Sequence, residues 1–435
     1  MPAPSELCAL LERSLRVRQA ARLPSLAAAV VREGEIVWAE AVGLADCEAG
    51  LEAGVETQYR VGSITKLFTA VAVMALCEQG RLALDDPLEA HIPGIAHGEL
   101  SLRRMLAHLS GLQREAGEMF AGGETPSSEG LLEAMASYEQ VLPPARAHHY
   151  SNLAYALLGE AVARASGVGY EAFVEERILG PLGLARTTWI EAPPRAQGYL
   201  VDEYAGTVSR EPHIELGGVR PMGQLWSTVA DLCRFASFLA GSGEGLLDSA
   251  SLEQMWAPQV ILDPDLWSVG WGLGLELSSR EGRVYGGHGG AMPGFLAGLQ
   301  VHRESGVGAV ALTNAGTRFA SRELCIELAS ATIERWPAEI APWRPEREPP
   351  PEVRAILGRW WSEGNEFVFA WREGKLTAES PGAPPWVHPS VFEPLPEGGY
   401  RVVAGRERGE RLRLEGGELR FGGYPFTRGQ TASPG

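Results

Sequence analysis

Apolar residues recur with a helical period at Leu7, Leu10, Leu11 and Leu15, which predicts a first helix capped by Ser5. Two unbroken apolar runs follow, Ala27 to Val31 and Ile36 to Val42, with Glu33-Gly34 between them. An acidic residue and a glycine between two such runs predict a hairpin. From Ile64 to Gln79 the period is helical again, with Leu67, Ala70, Val71, Met74 and Ala75 on one face and Gly80 placed to end the helix. Between Leu82 and about Phe238 the pattern breaks into short helices and loops. Strand character returns after Trp271. Phe295 to Arg303 and Val307 to Thr313 flank a turn at Ser305-Gly306, and a last helix is expected over Ser321 to Arg335. Strands therefore lie at both ends of this region with helices between them. That order predicts an α+β fold, in which an antiparallel sheet closed by the two chain ends is flanked by helices and carries a helical insertion.

Six prolines crowd Pro337 to Pro351, the composition of a linker or wrapped connector. Beyond it, short alternating runs (Phe367 to Trp371, Leu376 to Glu379, Tyr400 to Ala404, Arg411 to Leu414, Glu418 to Phe421) are separated by Glu-Gly and Gly-Gly turns. They predict a small all-β domain, a barrel or meander. The expected boundaries are 1–336 for the first domain (insertion about 82–238), 337–351 for the linker and 352–435 for the second domain. The arginines of the last domain alternate with glutamates, as on a solvated strand face.

Charge narrows the partners. The 435-residue chain carries a net charge of −17. Nucleic acid and anionic membrane surfaces need a basic footprint and are disfavoured. No stretch approaches the ~20 apolar residues of a membrane span, and Pro2 to Leu15 does not read as an export signal. Five scattered cysteines without a C-x-x-C pair fit free thiols, so the expected compartment is the cytoplasm. A homo-oligomer is left open.

Only two lysines occur, Lys66 and Lys375, so a lysine kept at position 66 invites a chemical reason. Ser63-Ile-Thr-Lys66 follows Gly62 at a helix start. Residues three apart share a face, so the amine can reach the hydroxyl, and a helix N-terminus favours a developing anion. Serine is a weak nucleophile until a base takes its proton. Lysine can be that base only if desolvation or a nearby cation lowers its pKa. Tyr150-Ser151-Asn152 opens another helical run. Its tyrosine could shuttle a proton if a cation such as Lys66 lowered its pKa, and Asn152 offers an amide to a substrate carbonyl or to the lysine. In Gly286-Gly287-His288-Gly289-Gly290-Ala291, glycines let a backbone approach a ligand, and a backbone N–H there can complete an oxyanion hole with that of Ser63. The nine histidines show no metal-ligand spacing, and no G-x-S-x-G occurs, so neither a metal hydrolase nor an α/β-hydrolase is expected; no cofactor is called for.

In order and spacing, S-x-x-K, Y-x-N and H-x-G resemble the three motifs of the active-site-serine β-lactamase and penicillin-binding-protein superfamily. Leu106 to Leu112 resembles its L-x-H-x-S-G-L segment. Ser227, Thr228, Asp231, Leu232 and Phe235 resemble its S-T-x-x-D-L-x-x-F helix. The tyrosine in the second motif points to the class C branch, which includes esterases and D-amino-acid-specific peptidases. Some members carry a C-terminal β-barrel, which implies a lipocalin-like tail here. The resemblance implies Ser63, Lys66 and Tyr150 as the catalytic set, with Asn152, His288, Gly290 and Ala291 binding substrate or oxyanion. Where β-lactamases of this branch have Lys-Thr-Gly, His288 replaces the fixed cation and Gly289 the hydroxyl residue. Weak or no β-lactamase activity is therefore expected, with ester or small amide and peptide substrates, D-amino-acid-containing ones among them. The competing reading is a non-catalytic scaffold on the same fold; three intact motifs argue against it.

Overall fold

A computed structural model describes residues 3–242, 245–317, 319–339, 342–345, 347–384 and 387–429. The chain forms two compact units, residues 1–338 and 339–435. Residues 340, 341 and 346 of the expected linker lie outside the described residues.

The first unit is built on a nine-stranded antiparallel sheet. Its strands are β1 (Ser25–Arg32), β2 (Glu35–Asp46), β3 (Leu51–Glu52), β4 (Val260–Ile261), β5 (Val269–Trp271), β6 (Glu276–Arg280), β7 (Arg283–Met292), β8 (Phe295–His302) and β9 (Val307–Thr313), in the spatial order β3-β2-β1-β9-β8-β7-β6-β5-β4. β1 pairs with β9 in a register running from Leu26 opposite Thr313 to Arg32 opposite Val307, so the two ends of the unit close the sheet.

The unbroken apolar run of β1 has a direct cause. Side chains alternate across a strand. Ala27, Ala29 and Val31 enter one core with the helix α2 (Thr65–Glu78), while Leu26, Ala28 and Val30 enter another with the helix α1 (Ser5–Ala20). Both faces are covered, so no polar alternation survives in the sequence.

α1 begins after Pro4, with Ser5 inside its first turn and no side-chain cap; the expected Ser5 cap is replaced by a proline whose fixed φ suits entry to a helix. Leu7, Leu11 and Leu15 are buried, and Leu10 is exposed. α2 is buried on all sides from Thr65 to Leu76, not on one face. Gly80 follows it with φ +67°, the left-handed geometry of a helix end. The insertion is mainly helical, with α3 (Asn152–Ser166) and α4 (Val229–Ser237) its longest parts, but not helical throughout. It also holds a hairpin of Tyr199–Asp202 with Thr207–Arg210, and Trp226–Ser227 pairs with Tyr59–Arg60. The hairpin is largely exposed, which removes the apolar signal that would announce it. The unit ends on α5 (Ser321–Arg335).

The second unit is a sequential eight-stranded antiparallel sheet from Gly358 to Phe426. Trp361 and Thr427 exchange two backbone hydrogen bonds of 2.9 Å, joining the first strand to the chain just past the last and nearly closing a barrel. Trp360, Phe369, Phe392, Leu412, Phe421 and Phe426 fill it. Among the described residues, no helix of the chain is long and apolar enough to cross a membrane.

Candidate active site

Ser63 stands in a single 3₁₀ turn, Gly62–Ile64, that leads into α2. From Thr57 to Leu76 every residue but Ser63 is buried. The turn thus presents one hydroxyl from an otherwise closed segment. The local sequence explains its position. Gly62 has φ +50°, and a Cβ there would meet the Ala291 backbone nitrogen at 2.7 Å. A Cβ on Gly290 would meet the Val61 carbonyl oxygen at 1.9 Å. Two glycines from distant parts of the chain let β7 press its backbone against the serine turn. Gly290→Ala is therefore expected to lower stability by about 1–3 kcal/mol through overpacking, and to displace the turn enough to cut activity. A variant with parent melting temperature and parent kcat would show that the close approach is dispensable.

One turn into α2, Lys66 is fully buried. Its Nζ donates to the Met222 carbonyl oxygen at 2.6 Å and stands 3.1 Å from Ser63 Oγ. Burial holds its pKa well below the ordinary lysine range; Glu115 opposes the shift and Arg114 adds to it. Desolvation disfavours an ammonium more than an amine, so the neutral form is favoured.

Tyr150 precedes Ser151, which caps α3 by accepting from Ala154 N at 3.1 Å. Lys66 Nζ lies 5.1 Å from the centroid of the Tyr150 ring. Burial pushes the phenol above its usual range. The expectation that a Lys66 cation lowers the Tyr150 pKa is thus reversed for the phenol, which burial pushes up, while burial pushes the lysine amine down. The physical reason is the same for both, because desolvation disfavours whichever form carries charge.

Asn152 opens α3. Its Nδ2 donates to Glu115 Oε1 at 2.7 Å, while its Oδ1 and Glu115 Oε2 are buried without partners. His288 lies on β7, with its ring centroid 6.0 Å from that of Tyr150. Nδ1 contacts the Gly289 carbonyl oxygen, and Nε2 is buried and unpartnered. Burial, then Lys66, hold its pKa at about 3, so His288 is neutral near pH 7. The glycine-rich motif is part of an interior strand, not of a sheet edge. Even so, β6 pairs with β7 only as far as Gly287, whereas β8 pairs with it to Met292. From His288 to Met292, β7 is laddered on one side only, a local edge beside the serine.

The structure thus brings Ser63, Lys66, Tyr150, His288 and the backbone of Gly290 and Ala291 into one place, with Asn152 tied to Glu115 beside them. It also supplies groups that the motifs do not include. Trp271 stands with its ring centroid 5.0 Å from His108, 4.9 Å from His148, 5.5 Å from His288 and 5.9 Å from Tyr150. Arg114 lies over the Tyr150 ring at 5.0 Å. Only His108, inside the Leu106 to Leu112 segment, carried a signal in the sequence. Among the described residues, no group of three or more His, Cys, Asp or Glu is arranged to hold a metal ion.

Comparison with known proteins gives the family. Residues 11–332 match the family described as Beta-lactamase, and residues 349–428 match a domain of unknown function, DUF7586. The chain is 30% identical to Penicillin-binding protein 4 of Amycolatopsis lactamdurans, over 81% of this chain and 97% of that one. It is 31% identical to Beta-lactamase-like protein 2 of Dictyostelium discoideum over 55% of this chain, and there it spans only 47% of the relative's length. Among solved structures, the octameric penicillin-binding protein homologue from Pyrococcus abyssi superposes with a TM-score of 0.67, at 24% identity, over 96% of this chain and 99% of that one. Other matched proteins include an esterase, a D-alanyl-D-alanine carboxypeptidase/endopeptidase and a D-amino acid amidase.

Proposed function

The chain belongs to the Beta-lactamase family, and on that premise we propose that it is a serine hydrolase cleaving carboxylic esters or small amides through an acyl-enzyme on Ser63. The observation that carries this is the placement of a buried lysine amine 3.1 Å from the one reachable hydroxyl of its segment. A neutral amine accepts the Ser63 proton as Oγ attacks the acyl carbon. The Oγ–carbonyl bond forms, and the backbone N–H groups of Ser63 and Ala291 receive the oxyanion. The protonated Tyr150 phenol donates to the leaving group as the acyl–heteroatom bond breaks. A water then releases the acyl group by the same route in reverse.

The neutral His288 supports the substrate preference. A fixed cation at this position would hold a substrate carboxylate, and an imidazole with its pKa near 3 does not. The test is turnover of a short-chain p-nitrophenyl ester, with nitrocefin and a D-alanyl p-nitroanilide in parallel. Ester or anilide cleavage with little nitrocefin turnover is expected. Inertness on all three would remove the catalytic reading.

The pH profile follows from Lys66. Its pKa is depressed, and the base is the deprotonated form. kcat/KM is therefore expected to fall as pH drops through the depressed value, and to be already at its plateau below the ordinary lysine range. A profile that rises only as pH enters the ordinary lysine range would exclude Lys66 as a neutral base.

A further inference from the structure

We propose that His108 is the positioning residue for Tyr150, clamping the backbone on both sides of it and backing its ring. The inference rests on the reading above, in which the Tyr150 phenol moves a proton. Three contacts converge from this one residue. The His108 carbonyl oxygen accepts from His149 N at 2.8 Å. Its Nδ1 accepts from Ser151 N at 3.1 Å. Its ring stacks on that of Tyr150 at 4.2 Å between centroids, 28° from parallel. Tyr150 therefore sits between two amides tied to a single residue, with its side chain against that residue's imidazole.

The backbone at His108 strengthens the case. The helix Leu102–Leu106 ends just before it, with His108 N donating to Met105 O at 3.2 Å and Leu109 N to Arg104 O at 2.7 Å. His108 itself has φ +55°. This is the helix-end position that glycine fills without strain, and other residues rarely do. A histidine there brings a side chain into a place where none is needed for the turn. What the side chain does is visible: it meets the Ser151 N–H.

The contact also fixes the protonation state. A nitrogen that accepts from a backbone N–H carries no proton, so the ring proton is on Nε2, and the ring is neutral. Protonation would set two donors against each other at Ser151. His108 is fully buried, and Nε2 has no partner among the described residues. It lies beside the mechanism and touches no reacting atom.

Two variants that both tolerate positive φ test this. His108→Asn keeps an acceptor, since Oδ1 stands as many bonds from Cα as Nδ1 does. His108→Gly keeps neither the side-chain acceptor nor the ring, and retains only the backbone carbonyl that accepts from His149 N. On a p-nitrophenyl ester, His108→Asn is expected to hold kcat within about tenfold of the parent, the scale of a weakened contact. His108→Gly is expected to lower kcat about 100-fold with KM changed less than about threefold, the scale of a misplaced general acid. The inference is overturned if His108→Gly keeps kcat within tenfold, or if His108→Asn falls as far as His108→Gly. If His108→Gly does not fold, His108→Asn decides alone by the same tenfold limit. Tyr150→Phe separates the two readings. If it leaves kcat unchanged, the proton role of Tyr150 fails. If it abolishes turnover while His108→Gly does not, only the positioning role fails.

Discussion

Ser63→Ala is expected to lower kcat/KM for a p-nitrophenyl ester by at least about 10³-fold, and to abolish covalent labelling by a fluorophosphonate probe. The substitution removes one oxygen from a partly exposed residue in a turn whose shape is set elsewhere, by Gly62, Gly290 and the Ala291 backbone. Its effect on folding should therefore be small, since surface changes of this kind usually stay within about 0.5 kcal/mol. The experiment reads two quantities that move independently. Loss of turnover and labelling at an unchanged melting temperature identifies the nucleophile. Full labelling of the alanine variant would place the reactive group elsewhere. Parent-like turnover without labelling would mean that hydrolysis needs no acyl-enzyme on Ser63. The residual rate of the variant also carries information. The oxyanion donors and Tyr150 remain in place, so any activity left reports what they contribute with water alone attacking.

How much of this was legible in the chain depends on the range of the interaction concerned. The Ser63 and Lys66 side chains meet because three residues of helical turn bring them together, which spacing alone predicts. β1, β8, β9 and α5 announce themselves because each buries at least one face, and β2 because its apolar run stays half-buried against both cores. Other elements left little trace. The strand Gly358–Ser362 holds five residues with only Trp360 and Ser362 well buried, and Ser390–Pro394 follows a proline-rich stretch. Neither offers an alternation long enough to read. The exposed hairpin of the insertion is silent for the same reason. In the site, Trp271 and the Met222 carbonyl reach Tyr150 and Lys66 from remote segments, and nothing in their neighbourhoods marks them. The electrostatic state was hidden as well. S-x-x-K and Y-x-N name the residues, but the direction of each pKa shift comes from how far water is excluded. That is a property of the packed α2 and α3: it lowers the Lys66 pKa, as a base at this position requires, and it raises that of Tyr150, against the expectation for the phenol. His108 stands between these cases: its segment was conspicuous, and its partner, the Ser151 N–H, was not.

Lys66→Met separates the chemistry of the amine from its packing. Methionine is close to lysine in length and apolar, and it fits a residue buried on all sides of α2. Removing the amine leaves the Met222 carbonyl oxygen without its 2.6 Å donor, at a cost of about 1–3 kcal/mol for a buried acceptor. It also removes a polar group from a dry site, which is favourable and offsets part of that cost. Stability should therefore move little, while kcat/KM should fall by about 10²–10⁴-fold, the span of a lost general base. Lys66→Arg provides the complementary measurement. A guanidinium keeps its proton at any working pH, so it cannot take one from Ser63. It is also bulkier, and it places a permanent charge in a buried position where Glu115 is the opposing group and Arg114 a like one. Lys66→Arg should be as inactive as Lys66→Met and less stable than it. If the arginine variant retained substantial turnover, the lysine would be acting as a fixed positive charge and the proton would have to leave Ser63 through Tyr150. If the methionine variant retained it, neither charge nor proton transfer at position 66 would be required. Inactivity in both, with the stability order methionine above arginine, is the result that a neutral, buried amine beside the nucleophile demands.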